Sequence, residues 1–324
     1  MANHRSVRYR LFPETGENVR ALHGLAGACR YVWNHFLALH QEHYKLYREA
    51  KTLGIDGYHK PSVSFFNLGT QFTEFRTGHP WLEKYAANVV KYTLKHQSDA
   101  WRVFFNGGGY PKFREKQTSS PSFTIPRNAI SISGNRINVP RIGKLRIRGN
   151  NPYPSGVPLQ AVIKQEGPRR WYAYVTYEVP DEELIPVRPA DNPAPVIGVD
   201  RRATGDLTCS SGDKARLPDL DRLEARRRRY QRRMMRQVKG SNRRDRNRQR
   251  MATLHRKQAR IRQNWLHHAA KFIASLGELV ALENLDLKGR PAIGWGRLTQ
   301  YLSYKARQVV QVEPAALPVL RFIT

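Results

Sequence analysis

The stretch Val196-Ile197-Gly198-Val199-Asp200 is a short apolar run that ends in a carboxylate. An apolar run of this length, rich in β-branched residues, is typical of a buried β-strand. A second run, Leu279 to Leu282, ends in the same way at Glu283. The pattern around them predicts strands at Gly205 to Ser210 and Val309 to Val312, and helices at about Leu220 to Met235, Asp245 to Leu276 and Trp295 to Arg307. Because strands and helices alternate, we predict an α/β domain here.

The two strand-end carboxylates, Asp200 and Glu283, are 83 residues apart. Nucleases of the two-metal type need carboxylates fixed at rigid strand ends, where they hold Mg²⁺ ions that activate water and stabilise the leaving oxygen. Acidic residues are also common wherever a strand runs into a loop. The residues alone therefore leave two interpretations open, a metal site or an ordinary pair of strand ends.

The segment between these two strands is strongly basic. Arg222 to Arg262 contains 18 Lys or Arg residues and only two acids, Glu224 and Asp245. A merely solvated charged face usually includes balancing glutamates, and these are missing. Apolar residues recur through the segment at roughly helical spacing, namely Leu223, Tyr230, Met234, Met251, Leu254 and Ile261. The pattern therefore predicts two helices with one apolar stripe and a phosphate-binding surface, which carries no sequence code by itself.

The composition of the whole chain supports this prediction. The 324 residues include 56 Lys and Arg against 26 Asp and Glu, so the formal net charge is +30 and the pI is about 10.7. Such a charge indicates a polyanionic partner, DNA or RNA. No apolar run reaches transmembrane length, so we expect no membrane partner. The start of the chain is polar, so we do not expect export. Cys29 and Cys209 are too few for a zinc site built from CxxC pairs.

In the first half of the chain the predicted secondary structure changes near residue 107, from mainly helices to short strands. A strand is predicted at Ser6 to Phe12, and helices at about Glu17 to Lys51, up to Thr77, and from Trp81 to Phe105. Short alternating runs then predict strands at Ser122 to Ile125, Ile130 to Ser133, Arg136 to Val139, Lys144 to Arg148, Val162 to Gln165 and Trp171 to Val179. Strands at this spacing indicate a small barrel or sandwich. Pro186 to Pro195, with four prolines, is typical of a linker.

A series of short motifs runs along nearly the whole chain. In the first half these are YRLFP (Tyr9–Pro13), CRYVWN (Cys29–Asn34), PWL (Pro80–Leu82), Phe104-Phe105, GYPKFR (Gly109–Arg114) and NVPRIG (Asn138–Gly143). In the second half they are GVD (Gly198–Asp200), KGS (Lys239–Ser241), LHRK (Leu254–Lys257), VALENL (Val280–Leu285), Trp295-Gly296 and YKA (Tyr304–Ala306). In this order and spacing they resemble the TnpB family, transposon-encoded RNA-guided DNA nucleases related to the type V CRISPR effectors.

The resemblance implies an α+β multidomain layout. A small wedge-type β-barrel would comprise residues 1–13 and 120–188, interrupted by a helical recognition lobe at 14–119. Residues 189–324 would form a RuvC-type α/β domain with an RNase H-like fold, carrying the basic helices as an insertion at 219–276. Asp200 matches the family's first catalytic, metal-binding carboxylate and Glu283 the second, in a two-metal Mg²⁺ site.

The same resemblance implies the partners. These are a guide RNA and a double-stranded target DNA, in the cytoplasm of a prokaryote and associated with its nucleoid; the oligomeric state stays open. In such proteins base pairing reads the target sequence, while the protein reads shape and a short target-adjacent motif.

Three groups of residues are candidates for nucleic-acid contact. Tyr110, Lys112 and Arg114 place an aromatic ring beside two cations, which suits base stacking and phosphate binding and equally suits packing of a turn. Asn88, Lys91 and Lys95 share one face of the helix that begins at Trp81, and could touch the target-adjacent duplex. The basic helices contribute Arg226, Arg229, Arg233, Lys239, Arg243, Arg244, Arg256, Lys257 and Arg260.

The sequence departs from the family pattern in its last part. The family's CxxC…CxxC zinc ribbon is missing, so no zinc is expected. The third catalytic Asp follows that ribbon in the family, and neither Asp286 nor Glu313 matches it. Arg202 also stands where many members have glycine. We therefore expect a DNA endonuclease by descent whose cleavage is impaired; the alternatives are a nuclease-dead RNA-guided binder or regulator, and a plain basic RNA-binding protein.

Overall fold

The computed structural model describes residues 3–167, 170–180, 183, 194–201, 206–283, 294–306 and 308–312. It divides into two units, Met1–Glu183 and Leu184–Thr324. No helix within these described ranges is long and apolar enough to span a membrane. Most of the predicted linker, residues 184–193, lies outside the described residues, whereas Ala194 and Pro195 already belong to a strand. The domain boundaries given above stay predictions.

The first unit is built on a seven-stranded antiparallel sheet. Its strands are β1 (Asn3–Phe12), β2 (Ser122–Ile125), β3 (Ser131–Ser133), β4 (Arg136–Val139), β5 (Gly143–Arg148), β6 (Val157–Gln165) and β7 (Trp171–Val179). The order is β2-β6-β7-β1-β5-β4-β3, so the first strand of the chain lies in the middle. Val7, Tyr9 and Leu11 alternate toward the core, as period-two patterning requires. All six predicted strands of residues 120–180 are present.

This sheet is a curled half-barrel. Among the described residues β2 and β3 are its two edges, and no pairing joins them. The sheet agrees in general with the predicted small barrel, and its described strands form an open half of one. Alternating patterning predicts buried and exposed faces but not closure, because closure depends on how the end strands meet.

Three helices complete the first unit: α1 (Gly16–Leu53), α2 (Phe65–Thr77) and α3 (Ala87–Phe105). The Thr15 hydroxyl accepts from the Asn18 amide at 3.1 Å and caps the start of α1. The predicted helix from Trp81 is wrong at its beginning: Pro80–Lys84 is a 3₁₀ turn, and Tyr85 is extended. Tyr85 lies against Gly24 of α1, where an added Cβ would be 2.7 Å from its hydroxyl oxygen. That contact between distant segments fixes the break.

The second unit contains a mixed five-stranded sheet. Its strands are β8 (Ala194–Arg201), β9 (Leu207–Cys209), β10 (Lys214–Ala215), β11 (Gly277–Glu283) and β12 (Gln308–Val312), in the order β10-β9-β8-β11-β12. Strands β8, β11 and β12 run parallel to one another, while β9 pairs antiparallel with both β8 and β10. The α/β prediction is confirmed; the two-residue β10 was not predicted.

The helices of this unit are α4 (Asp221–Met235), α5 (Asn242–Leu276) and α6 (Trp295–Lys305). Ile197, Val199, Val280 and Leu282 from β8 and β11 form a buried core with apolar residues of α5 and α6. At Gly277, where α5 gives way to β11, an added Cβ would meet the carbonyl oxygen of residue 194 at 2.9 Å. The two central strands can approach this closely because glycine has no side chain.

Candidate functional site: strand-end carboxylates and a basic helical hairpin

The strand register brings the two predicted carboxylates together. β8 and β11 run parallel, with Val196 beside Leu279 and Val199 beside Leu282. The same offset, 83 residues, places Asp200 beside Glu283 at the carboxyl ends of both strands. Neighbouring strands are about 4.8 Å apart. Val199 and Leu282 point into the core, so Asp200 and Glu283 share the opposite face, and both are half-buried.

Such a pair can supply oxygen ligands to a divalent cation. Mg²⁺ in proteins often takes one or two carboxylates and completes its shell with water and substrate phosphate, so Asp200 and Glu283 fit that ion. Within the described ranges no group of three or more His, Cys, Asp and Glu residues could hold a metal ion together. The described residues therefore provide two carboxylates at this place.

Arg201 is a site residue that the sequence analysis missed. Its side chain is 5% exposed, and its guanidinium donates to the Thr299 hydroxyl of α6 at 3.0 Å and to the backbone carbonyl oxygen of Glu283. Burial lowers the pKa of Arg201, whereas the Glu283 carboxylate raises it. One side chain thus ties the ends of β8 and β11 to α6. The sequence did contain a signal for this burial: side chains alternate along a strand, so Arg201 shares the buried face of Ile197 and Val199.

Helices α4 and α5 form an antiparallel hairpin that carries the basic segment. Glu224 near the start of α4 accepts from Arg262 of α5 at 3.4 Å, and near the turn the Asn247 amide donates to Gln237 at 3.0 Å. Gly240 has φ +87°, a conformation that favours glycine. The KGS motif therefore serves as the turn of the hairpin, and its serine as the N-cap of α5.

Most of the predicted phosphate-binding residues lie exposed on this hairpin. The exposed ones are Arg226, Arg229, Arg233, Lys239, Arg243, Lys257 and Arg260. Arg244 is different, because it donates to the carbonyl oxygens of Met234 at 2.8 Å and Gln237 at 2.9 Å and so caps the end of α4. Arg256 is half-buried and donates to the Thr253 hydroxyl at 2.9 Å. These two cations have structural contacts that the sequence did not predict.

In the first unit the candidate segment around Tyr110 packs along α1. The Gln41 amide donates to the carbonyl oxygen of Pro111 at 2.8 Å, and the Trp33 indole to that of Lys112 at 3.0 Å. The Asn34 amide donates to the carbonyl oxygen of Arg114 at 3.0 Å, and its oxygen accepts from the Arg114 amide at 2.8 Å. The CRYVWN and GYPKFR motifs are therefore in direct contact.

The side chains of that segment divide between packing and solvent. The guanidinium of Arg114 lies 3.7 Å from the ring centre of Trp33, and burial lowers its pKa. The Tyr110 ring packs against Phe104 at 4.9 Å and Trp101 at 5.6 Å. Lys112 extends an exposed side chain, and Tyr110 is 40% exposed although its ring packs on one side. Arg114 is thus held by packing, whereas Tyr110 both packs and faces solvent, so both interpretations of Tyr110 stay open.

The third predicted group, on α3, is half-buried. The Asn88 side-chain oxygen accepts from the Val89 amide at 2.9 Å, and Lys95 forms an ion pair with Asp99 at 2.7 Å. The side chain of Lys91 crosses to Gly69 of α2, where an added Cβ would touch it. The three residues do share one face, but each has a partner inside the protein.

Comparison with known proteins adds to this geometry. Residues 174–292 match the OrfB_IS605 family model, described as "Probable transposase", and residues 1–49 match the associated model described as "Helix-turn-helix domain". In this chain the residues matched by the helix-turn-helix model comprise strand β1 and most of the single helix α1.

Two curated relatives align along most of the chain. A Streptomyces pristinaespiralis protein named "Putative RNA-guided DNA endonuclease" is 25% identical over 317 residues, covering 93% of this chain and 74% of the relative. "Putative RNA-guided DNA endonuclease InsQ" from Escherichia coli K12 is 23% identical over 290 residues, covering 88% and 67%. A solved CRISPR-Cas12f ternary complex is 12% identical with a TM-score of 0.37, covering 92% of this chain and 72% of its own. The transposase match, the two relatives and the ordered motifs establish that this chain belongs to the TnpB family.

Proposed function

We propose that this chain binds a guide RNA and, through it, a double-stranded target DNA, and that it descends from a Mg²⁺-dependent DNA endonuclease. The observation that carries the proposal is the pairing of Asp200 with Glu283 at adjacent strand ends of the unit that also contains the basic hairpin. The family relatives named as RNA-guided DNA endonucleases support the same function. Such a protein would act on the nucleoid, in the cytoplasm.

The mixed sheet supports a RuvC-type, RNase H-like interpretation of the second unit. Its two central strands are parallel, and each ends in one carboxylate. Asp200 and Glu283 would hold Mg²⁺ against the scissile phosphate of DNA. When bound, the ion would lower the pKa of water and stabilise the leaving oxygen. Arg201 holds the Glu283 backbone in place, and the exposed cations of the hairpin would bind the phosphates of the guide and target strands.

We further propose that cleavage by this 324-residue chain is slow or absent. Two-metal catalysis depends on a complete set of ligands, and the described residues bring two carboxylates together rather than three. The binding surface is more complete, because 18 basic residues against two acids leave the Arg222 to Arg262 segment with a formal charge of +16.

The test uses the full chain purified with its co-expressed guide RNA. We expect guide-dependent binding of target DNA, with cleavage in Mg²⁺ that is slow or undetectable. Any residual cleavage should disappear in Asp200→Ala and Glu283→Gln. It should persist in Glu278→Gln, a matched control because Glu278 is an exposed acid on the same strand as Glu283.

Each alternative outcome is informative. Efficient Mg²⁺-dependent cleavage that Asp200→Ala abolishes would uphold the site and overturn the proposed impairment. Guided binding with no cleavage at any Mg²⁺ concentration would favour a nuclease-dead binder or regulator. A plain basic RNA-binding protein would co-purify a broad mixture of RNA instead of one discrete species, and would show no guide-dependent DNA binding.

A further inference from the structure

The hairpin of the second unit contains a cleft in which two of the predicted phosphate contacts, Arg226 and Lys257, lie beside an aromatic ring. The cleft lies between α4 and α5, has a volume of about 510 Å³, and is lined by residues that include Leu223, Arg226, Tyr230, Arg250 and Lys257. This volume lies within the usual range of small-ligand sites. Leu223 and Leu254 belong to the apolar stripe between the helices, so the cleft has an apolar part beneath charged walls.

The walls of the cleft carry cations and no acid. Arg226, Arg246, Arg250 and Lys257 all line it and are all exposed. The nearby acids are occupied elsewhere: Glu224 pairs with Arg228 and Arg262, and Asp245 pairs with Arg248. Four like charges around one cleft repel each other unless an anion lies among them. The charge therefore selects an anionic ligand.

Tyr230 gives the cleft a second chemical feature. The guanidinium carbons of Arg250 and Arg226 lie 5.8 Å and 6.0 Å from its ring centre. A hydrogen bond from Arg226, together with the positive charges of Arg226, Arg250 and Arg233, lowers the pKa of the Tyr230 hydroxyl. An aromatic ring among cations is the usual means of holding single-stranded nucleic acid, because the ring stacks on a base while the cations bind phosphate.

The aromatic ring also indicates whether the bound nucleic acid is single-stranded or a duplex. In a duplex the faces of the bases are stacked on one another, so only phosphates and groove edges face the protein. Simple phosphate binding along a duplex would require the cations but would gain nothing from an aromatic ring within the cleft. We propose that this cleft binds an unpaired nucleotide of a nucleic-acid strand, its base against Tyr230 and its phosphate between Arg226 and Arg250. This inference rests on the proposed function and adds a distinct site to it.

The experiment measures the affinity of the RNA-free full chain for three labelled probes. These are an oligouridylate and an oligothymidylate of about 15 nucleotides, near the upper end of known single-strand site sizes, and a duplex of the same length. The key variants are Tyr230→Leu, which keeps an apolar side chain against the stripe, and Tyr230→Phe, which keeps the ring. Circular dichroism confirms that the helices of each variant remain folded.

We expect Tyr230→Leu to weaken single-strand binding about tenfold, as loss of one base stack does, while Tyr230→Phe stays within about twofold of wild type. Duplex affinity should be unchanged in both. Arg250→Gln should weaken single-strand binding more than Arg232→Gln, a matched control because Arg232 is an exposed arginine of α4 outside the residues that line the cleft. A loss with oligouridylate only would identify RNA as the source of the nucleotide, and a loss with oligothymidylate only would identify DNA.

Two results would overturn the inference. One is an unchanged single-strand affinity in Tyr230→Leu, and the other is an equal loss for single strands and duplex. Failure of the proposed function would look different, since the wild-type chain would then co-purify no discrete guide RNA and show no guide-dependent binding of target DNA, whatever its affinity for the three probes.

Discussion

Arg201 occupies a position where an apolar side chain would continue the buried face of β8. Ile197 and Val199 precede it on that face and are almost fully buried. A buried cation is tolerated only when hydrogen bonds and opposite charge compensate for its lost hydration. Thr299 and the carbonyl oxygen of Glu283 provide those bonds. The residue beside the candidate carboxylate Asp200 therefore holds the end of the neighbouring strand in place.

We predict that Arg201→Met loosens the end of β11. The Glu283 carbonyl would lose its buried donor, which costs about 1–3 kcal/mol, so local amide exchange should accelerate about tenfold or more. Hydrogen exchange measured by mass spectrometry across β8 and β11 would report this. Thr299→Val removes only the second bond and should have the smaller effect. Unchanged exchange in Arg201→Met would show that the arginine is dispensable for the strand end.

At the scale of elements, side chains of α1 form hydrogen bonds with the backbone of the irregular segment 111–114, as a neighbouring strand would. The Asn34 side chain both donates to and accepts from the backbone of Arg114. Trp33 and Gln41 donate to the carbonyl oxygens of Lys112 and Pro111. Backbone groups that are not in a helix or sheet need partners of this kind when they are partly buried. The two motifs therefore function as one structural unit.

We predict that Asn34→Ala releases this segment from α1. Two hydrogen bonds to backbone groups are lost, at about 0.5–1.5 kcal/mol each, so exchange and proteolysis within residues 110–115 should become several-fold faster. Asn34→Asp keeps the acceptor for the Arg114 amide and loses only the donor, so its effect should be intermediate. Equal exchange in the wild type and both variants would mean that Trp33 and Gln41 hold the segment without Asn34.

The elements also show what a sequence can and cannot predict. The limits of β2, β4 and β7 match the prediction, because alternation in a half-buried strand is a local signal. The predicted strand end at Glu283 also matches, whereas β8 continues one residue past Asp200 to Arg201. The two carboxylates meet because β8 and β11 are parallel neighbours. The break before α3 was missed because it depends on Tyr85 packing against Gly24, far away in the chain. Contacts of Arg201 and Asn34 were missed for the same reason: they join segments about 80 residues apart.

At the scale of the whole molecule, the charge is the dominant property. A formal net charge of +30 on 324 residues opposes the compact state through self-repulsion. The repulsion is concentrated in the basic hairpin, where α4 has no fully buried residue and the two acids of the Arg222 to Arg262 segment pair with only a few of its arginines. A bound polyanion would relieve this repulsion, and so, more weakly, would salt.

We therefore predict that the RNA-free chain becomes more stable as salt rises from about 0.1 M to about 1 M, where the screening length falls from roughly 10 Å to roughly 3 Å. Each kcal/mol of relieved repulsion should raise the Tm by about 2–4 °C. Differential scanning calorimetry with sodium chloride would measure it. A variant with Arg226, Arg229, Arg233 and Arg243 changed to glutamine should show a smaller rise, since it removes four of the 18 positive charges of the Arg222 to Arg262 segment. A Tm that is flat or falls with salt, or that rises equally in the variant, would show that the hairpin tolerates its charge without a counterion.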